Sequence, residues 1–209
     1  MEILRLKEEN RQAAIEKSVN VLRNGGLLIY PTETCYGLGA DATSKQAIDL
    51  LLSYKREREG KPISIAVADQ EMAEKYVELN ALAKNLYRQY LPGPLTVISS
   101  SRGLIDSRAE SATKTLGVRI PDYPMIREIS AGLGKPITST SANTSGGGEP
   151  YNIQDLLAGL PEEKKNLLTL LLDAGELPRR PSSTVVDTTS GQLVILRAGA
   201  LDLRDFTCF

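Results

Sequence analysis

The 209-residue sequence contains no histidine, which excludes an imidazole base and a histidine-bound metal from its chemistry. Its two cysteines, Cys35 and Cys208, are too few for a disulfide framework, and neither lies near a metal-ligand partner. No run of about eighteen apolar residues could span a membrane. The charged N-terminus, MEILRLKEENRQ, lacks the apolar segment of a secretory signal. We therefore expect a cytoplasmic protein that makes no contact with a membrane.

The sequence also lacks a surplus of positive charge. Its formal net charge of −1 argues against a protein whose main work is to grip a nucleic-acid backbone. Several cations nevertheless follow predicted strand or helix ends: Lys55, Arg56, Arg58, Lys61, Arg119 and Arg197. Each alone is best explained as a solvated surface charge. Their repeated placement beside hydroxyl-rich turns favours a local basic crevice.

Helical and strand patterns alternate along the chain. An apolar stripe predicts a helix from Glu9 to Arg23, which Asn24-Gly25-Gly26 ends, and Leu27 to Tyr30 forms a short buried strand. Leu167 to Leu172 fits either a helix end or a strand. The pattern shows no composition break or repeat, and several late strands follow one another directly. We therefore predict one α/β domain over residues 1–209, with a twisted, mixed sheet flanked by helices around a central ligand crevice.

Two strand ends run into turns rich in hydroxyls and glycine. Tyr30 to Ala42 reads YPTETCYGLGADA, and Ser139 to Gly148 reads STSANTSGGG. Open α/β folds bind their ligands beside strand ends of this kind, where oriented backbone amides can donate hydrogen bonds to phosphate oxygens. The sequence has no GxxxxGK[ST] pattern, so neither turn is a P-loop. A purely structural turn explains the first motif equally well when it is taken alone, and a surface loop explains the second.

Taken together, these stretches resemble the YrdC-like threonylcarbamoyl-AMP synthases. PTETCYGLGADA, KPISIAV, LPGPLTVI, GVRIPDYP, STSAN, SSTVVD and ILRAGA occur in the order and approximate spacing of that family, between Gly26 and Ala200. The resemblance implies the YrdC-like fold in its single-domain form. It also implies a nucleotidyltransferase that makes threonylcarbamoyl-AMP and pyrophosphate from L-threonine, bicarbonate and ATP. ATP would arrive with Mg²⁺, and a downstream transferase complex would use the product to modify the tRNA adenosine next to the anticodon.

The resemblance also assigns site residues. Thr34, Arg119, Ser139 and Ser183 match positions that hold threonine. The positions that match the nucleotide site are Lys55, Arg58, Lys61, Thr115, Ser141, Asn143 and Arg197. Lys55 is also the expected catalytic residue, and no resident metal site is expected. A bidentate guanidinium such as that of Arg119 suits an amino-acid carboxylate.

The basic loop departs from the family pattern. Counting back from Lys61-Pro62 leaves Lys55 in register but places Glu57 where the family has arginine. Either Arg56 or Arg58 supplies the missing cation, or the protein binds its phosphates in a different way, and the sequence leaves this choice open. Cys35 is interpreted as a small apolar side chain and not a nucleophile, since no base accompanies it.

Two alternatives come from other functional classes. One is a non-catalytic module that binds double-stranded RNA. The family's fold is associated with such binding, but the near-neutral charge of this sequence disfavours it. The other is carbamoyl transfer in hydrogenase maturation, where a similar domain sits in a longer protein. The chain has no room for an acylphosphatase-like domain, and two cysteines without histidine cannot form zinc fingers.

Overall fold

The computed structural model describes residues 1–55, 62–143, 148–203 and 206. Its strands are β1 (Glu2–Arg5), β2 (Leu27–Tyr30), β3 (Gly37–Gly39), β4 (Ser64–Ala66), β5 (Val77–Glu78), β6 (Leu95–Ser101), β7 (Thr115–Arg119), β8 (Ile137–Ser141), β9 (Leu168–Asp173), β10 (Thr184–Asp187) and β11 (Val194–Arg197). Its helices are α1 (Arg11–Arg23), α2 (Lys45–Tyr54), α3 (Gln70–Tyr76), α4 (Ala81–Tyr90), α5 (Pro124–Leu133), α6 (Ile153–Ala158) and α7 (Glu162–Lys165), and a 3₁₀ turn (Glu8–Asn10) precedes α1.

The strands form one mixed sheet in the order β1-β9-β2-β3-β8-β4-β7-β6-β10-β11, and β5 pairs with β6. The pairs β1–β9, β2–β9, β4–β7 and β6–β10 are parallel. The others are antiparallel, including both neighbours of β8. The prediction of a mixed α/β sheet flanked by helices is confirmed.

Local signals explain most of the helix starts. Ser44, Asp69, Asn80 and Asn152 are N-caps whose side chains each accept a hydrogen bond from a backbone amide three residues later. At the other end of α1, Gly25 adopts a φ of 75°, a left-handed conformation that glycine reaches without strain. Two of these signals flank the strands that carry the polar turns: Gly25 precedes β2, and the Asn152 cap follows β8.

Apolar side chains fill both faces of the sheet. In β2, Leu27 and Ile29 belong to one core cluster, which also contains residues of α2 and α4. Leu28 and Tyr30 belong to the opposite cluster, together with residues of α1 and α5. The strand is fully buried, which is typical of a central strand covered on both faces. None of the helices in the described ranges is both long and apolar enough to cross a lipid bilayer.

Four elements were not predicted from the sequence: β1, β3, β5 and α7. The segment from Leu167 to Leu172, which fitted either structure, lies mainly in β9. It pairs with β1 on one side and β2 on the other. These two partners, which are distant in sequence, decide its conformation.

Candidate functional site

A polar cavity of about 280 Å³ lies at the centre of the sheet. Strand β8 supplies Ser139 and Ser141 to its wall, β7 supplies Arg119, and β11 supplies Arg197. The turn between β2 and β3 adds Thr34. We call this the substrate cavity. Its lining comes from the continuous run of strands β3-β8-β4-β7-β6-β10-β11, which are far apart in sequence but neighbours in the sheet.

The structure brings six of the predicted site residues together in this cavity: Thr34, Arg119, Ser139, Ser141, Ser183 and Arg197. Lys55, Thr115 and Asn143 do not line it as the described residues form it. Arg58 and Lys61, as well as Arg56 and Glu57, lie outside the described residues. The choice between Arg56 and Arg58 therefore stays a prediction.

Thr32 organises the first turn. Its Oγ1 donates to the Cys35 carbonyl at 2.7 Å and accepts from the amides of Thr34 and Cys35. The hydroxyls of Thr32 and Thr34 are also 3.0 Å apart. The structural interpretation of a threonine turn therefore holds, and both Thr32 and Thr34 combine that turn with a place in the cavity wall.

The glycines of the first motif make room for the Tyr30 ring. A Cβ atom on Gly37 would lie 2.9 Å from Tyr30 Cζ, and one on Gly39 would lie 2.9 Å from Tyr30 Cε1. The phenol donates to the Thr138 carbonyl at 3.0 Å, and burial raises the pKa of Tyr30 to about 12. The ring therefore bridges β2 and β8 across β3, which fixes the edge of the cavity.

Arg119 forms a buried ion pair with Glu33. Its Nη2 donates to Glu33 Oε1 at 2.5 Å, and the side chains are 11% and 8% exposed. Arg119 Nε and Glu33 Oε2 are buried without a hydrogen-bond partner among the described residues. Buried polar groups are usually satisfied. The pair thus retains an unused donor and an unused acceptor beside the substrate cavity.

Arg197 is held by Ser183, another residue of the cavity lining. Its Nη2 donates to the Ser183 carbonyl at 2.8 Å and to Ser183 Oγ at 3.1 Å. Ser183 Oγ is also 2.9 Å from Thr96 Oγ1. Burial lowers the pKa of Arg197, and the positive charge of Arg119 lowers it further. Arg197 therefore senses the positive charge of Arg119, and both side chains line the same cavity.

Lys55 is almost fully buried, at 2% exposure, just after α2. Its Nζ donates to the carbonyls of Ser141 and Asn143 at 2.5 Å each, and to Asn143 Oδ1 at 3.2 Å. Tyr54 Oη donates to the Ala142 carbonyl at 2.6 Å. The end of α2 therefore holds the STSAN turn by its backbone. The Asn143 carboxamide extends this network to Ser141 Oγ.

Thr115 lies at the start of β7, where it pairs with Ser100. Its hydroxyl is 2.6 Å from that of Ser111. It is therefore engaged in the loop before β7, whereas Arg119 at the other end of the strand reaches the cavity.

Cys35 lines the substrate cavity at 7% exposure. Burial raises the pKa of its thiol to about 11, with a smaller contribution from the negative charge of Glu149. The thiol is therefore protonated near neutral pH. This agrees with an apolar role and not with a nucleophile.

The described residues contain no group of three or more histidine, cysteine, aspartate or glutamate side chains that could hold a metal ion. The cavity wall itself is rich in hydroxyls and guanidinium groups. Such a donor set suits anionic groups better than a bare cation.

The cavity also contains residues that were not assigned from the sequence, among them Thr96, Glu149 and Ser182. Glu33, the ion-pair partner of Arg119, was missed as well. All four lie inside or beside motifs already singled out, YPTET, LPGPLTVI, the end of the STSAN loop and SSTVVD. Position within those motifs was the available signal. No sequence signal indicated the contact between Glu33 and Arg119, which are 86 residues apart.

Several known proteins are similar to this chain in sequence or in fold. A curated protein of Methanocaldococcus jannaschii, provisionally named threonylcarbamoyl-AMP synthase, is 33% identical over 205 residues, covering 98% of this chain and 94% of the relative. The structure of Pyrococcus abyssi Sua5 complexed with L-threonine has a TM-score of 0.90 at 28% identity. It is matched over 98% of this chain and 59% of its own length.

Escherichia coli YciO shares the fold, with a TM-score of 0.84 at 23% identity and 98% coverage of both chains. The family model Sua5_yciO_yrdC, described as "Telomere recombination", matches residues 20–199. This match covers most of the chain, including both polar turns and every described residue of the substrate cavity. The chain belongs to the Sua5/YciO/YrdC family.

Proposed function

We propose that the chain is an L-threonylcarbamoyladenylate synthase, a nucleotidyltransferase that forms threonylcarbamoyl-AMP and pyrophosphate from L-threonine, bicarbonate and ATP. The observation that carries the proposal is the pairing of Arg119 and Arg197 in one hydroxyl-lined cavity. The name of the Methanocaldococcus relative and the L-threonine complex of the Pyrococcus protein support it.

The threonine end of the cavity is assigned to Arg119, Thr34, Ser139 and Ser183. A guanidinium binds both oxygens of an amino-acid carboxylate. Arg119 already holds Glu33 through Nη2 and has an unused donor at Nε. The threonine carboxylate can therefore accept a hydrogen bond from Arg119 Nε while Arg119 stays paired with Glu33. The unused Glu33 Oε2 can accept a hydrogen bond from the amino group of the bound threonine. In this arrangement Glu33 is a positioning residue.

The nucleotide end is assigned to Ser141 and Arg197, with Asn143 and Lys55 behind the turn. Adenylation places negative charge on the α-phosphate and on the departing pyrophosphate, which fixed cations and oriented dipoles stabilise. Lys55 was predicted as the catalytic residue. Its Nζ contacts two carbonyls of the turn, and this geometry favours a positioning role in which Lys55 keeps the turn in place. Thr115, Arg58 and Lys61 stay predictions.

The chemistry requires no covalent intermediate. The neutral amine of threonine first combines with bicarbonate to give the carbamate N-carboxythreonine, with loss of water. A carbamate oxygen then attacks the α-phosphorus, and pyrophosphate leaves with the electrons of the broken P–O bond. The protein contributes orientation and electrostatic stabilisation. We propose that Mg²⁺ arrives with ATP as part of the substrate and that the protein works in the cytoplasm. We also propose that a downstream transferase complex uses the product on tRNA. A direct contact of this protein with RNA stays a prediction.

Mass spectrometry of a reaction with ATP, magnesium, bicarbonate and L-threonine tests this proposal. We expect threonylcarbamoyl-AMP and pyrophosphate, with formation dependent on bicarbonate and threonine together. Pyrophosphate release at the same rate without threonine would contradict it and indicate a nucleotide hydrolase. No turnover combined with RNA binding that weakens steeply with salt would instead support the RNA-binding alternative.

A further inference from the structure

A second cavity, of about 510 Å³, lies just beyond the carboxyl ends of β4 and β7. These strands are parallel neighbours, with Ala66 paired to Arg119. Ala68 and Ile120, which follow the two strand ends, both line the cavity. Ligands of open α/β sheets bind outside the carboxyl ends of parallel strands. We call this the second cavity. None of its lining residues belongs to the lining of the substrate cavity.

The walls of the second cavity combine apolar surface with positive charge. Leu91, Pro92 and Ile120 supply the apolar part. Lys84 and Arg88 from α4 and Arg127 from α5 supply three cations. Asp69 is the one carboxylate in this lining, and it already accepts the amide of Met72 as the N-cap of α3. The local charge balance therefore favours an anion.

The cations are weakly engaged by the protein. Arg88 donates to the neutral Asn85 Oδ1 at 2.8 Å, and Lys84 lies 3.6 Å from Glu74. Arg127 forms no ion pair with any carboxylate in the described ranges. These guanidinium groups thus keep most of their hydrogen-bonding capacity for a ligand.

Two polar atoms of the lining residues are buried without a hydrogen-bond partner in the described structure: Arg127 Nε and Tyr87 Oη. Tyr87 is 2% exposed. A buried donor without a partner is costly, and such groups are rare unless a ligand or water satisfies them. Both atoms belong to side chains of the cavity lining, and a shift of either side chain toward a ligand would satisfy its donor.

We propose that the second cavity binds a small organic anion. Its apolar body packs against Leu91, Pro92 and Ile120, and its phosphate or carboxylate group accepts hydrogen bonds from Arg88 and Arg127. The cavity volume falls in the range typical of small-molecule sites. This site does not depend on the proposed synthase activity, because its residues are separate from the substrate cavity.

Calorimetric titration with simple probes tests the proposal. We expect phenyl phosphate or benzoate to bind at least about 10-fold more tightly than benzyl alcohol, which lacks the charge. Inorganic phosphate, which lacks the apolar body, should also bind more weakly. Whichever of phenyl phosphate and benzoate binds more tightly identifies the anionic group as phosphate or carboxylate.

Variants locate the bound probe. Arg127→Gln should weaken binding by about 10-fold or more, Arg127→Lys by less, and Arg23→Gln on the exposed side of α1 not at all. Thermal unfolding of each variant checks that the fold is kept. Equal binding of benzyl alcohol and phenyl phosphate would overturn the proposal. So would binding that survives Arg127→Gln but is lost in Arg197→Ala, since the probe would then occupy the substrate cavity.

Discussion

Strand β7 ends between two cavities, and the arginines that line these cavities differ in how firmly other protein groups hold them. Arg119, its last residue, lines the substrate cavity, and Ile120, the next residue, lines the second cavity. In the substrate cavity each arginine is held by protein oxygens, Arg119 by Glu33 and Arg197 by Ser183. In the second cavity Arg127 has no ion pair with a described carboxylate, and Arg88 donates to the neutral Asn85 Oδ1.

How firmly the protein holds a guanidinium group affects the free energy of ligand binding at each site. A guanidinium that is fixed before the substrate arrives loses little conformational freedom on binding, which suits a reaction that requires orientation. A loosely held guanidinium on an apolar wall can adapt to its ligand but orders itself at binding. Substitutions in the substrate cavity should therefore affect both the fold and activity, whereas those in the second cavity should affect ligand affinity alone.

The largest effect is expected for Arg119→Ala. Loss of the charge-assisted clamp should raise the threonine KM far more than the ATP KM, by an amount worth about 1.5–3 kcal/mol. The variant also leaves Glu33 buried without its partner, which typically costs about 3–5 kcal/mol of stability. Steady-state kinetics and chemical denaturation measure the two effects. Arg127→Gln is the matched control and should change stability by less than about 0.5 kcal/mol.

A double variant separates the clamp from the ion pair. Arg119→Ala combined with Glu33→Ala should recover much of the lost stability, because no buried charge is left unpaired. The threonine KM should stay high. An unchanged threonine KM in the single variant would show that Arg119 has a purely structural role.

Lys55→Met should come next. It leaves the carbonyls of Ser141 and Asn143 without their ammonium donor, at a cost of about 1–3 kcal/mol in stability. If Lys55 positions the turn, the ATP KM should rise while kcat falls little. A large fall in kcat with an unchanged ATP KM would contradict this and support the catalytic role predicted from the sequence.

Gly37→Ala tests the packing behind the cavity. Its Cβ would lie 2.9 Å from Tyr30 Cζ, so the ring or β3 must shift, at about 1–3 kcal/mol. Gly148→Ala is the control, because nothing described lies within 4 Å of its Cβ position. Chemical denaturation compares the two. Equal stability of both variants would show that the Tyr30 contact does not constrain β3.

Local patterns predicted the elements that local forces determine. The β2 strand and the end of α1 before Asn24-Gly25-Gly26 appear where the sequence placed them, because apolar runs and glycine stops act over a few residues. Strand β3 could not be predicted. Its sequence, Gly-Leu-Gly, has low strand propensity, and it is a strand because β2 and β8 flank it and the Tyr30 ring covers its glycines.

The candidate site also has features that local sequence predicts and features that depend on contacts between distant segments. The motifs indicated which residues gather at strand ends, and six of them share the substrate cavity. The sequence could not show that Lys55 Nζ contacts the backbone carbonyls of Ser141 and Asn143. Nor could it show the Glu33–Arg119 pair, because such contacts depend on how distant segments pack and not on a local pattern.

The smallest effect concerns Cys35, which lines the substrate cavity without a charged role. Its raised pKa, about 11, means that the reactive thiolate is scarce at neutral pH and grows about tenfold per pH unit up to that value. In a Cys208→Ser variant, alkylation by iodoacetamide should therefore be slow at pH 7 and should still accelerate between pH 9 and about pH 10. Cys35→Ser should leave turnover nearly unchanged. A rate that levels off below pH 9 would mean an activated thiolate and would contradict the apolar role.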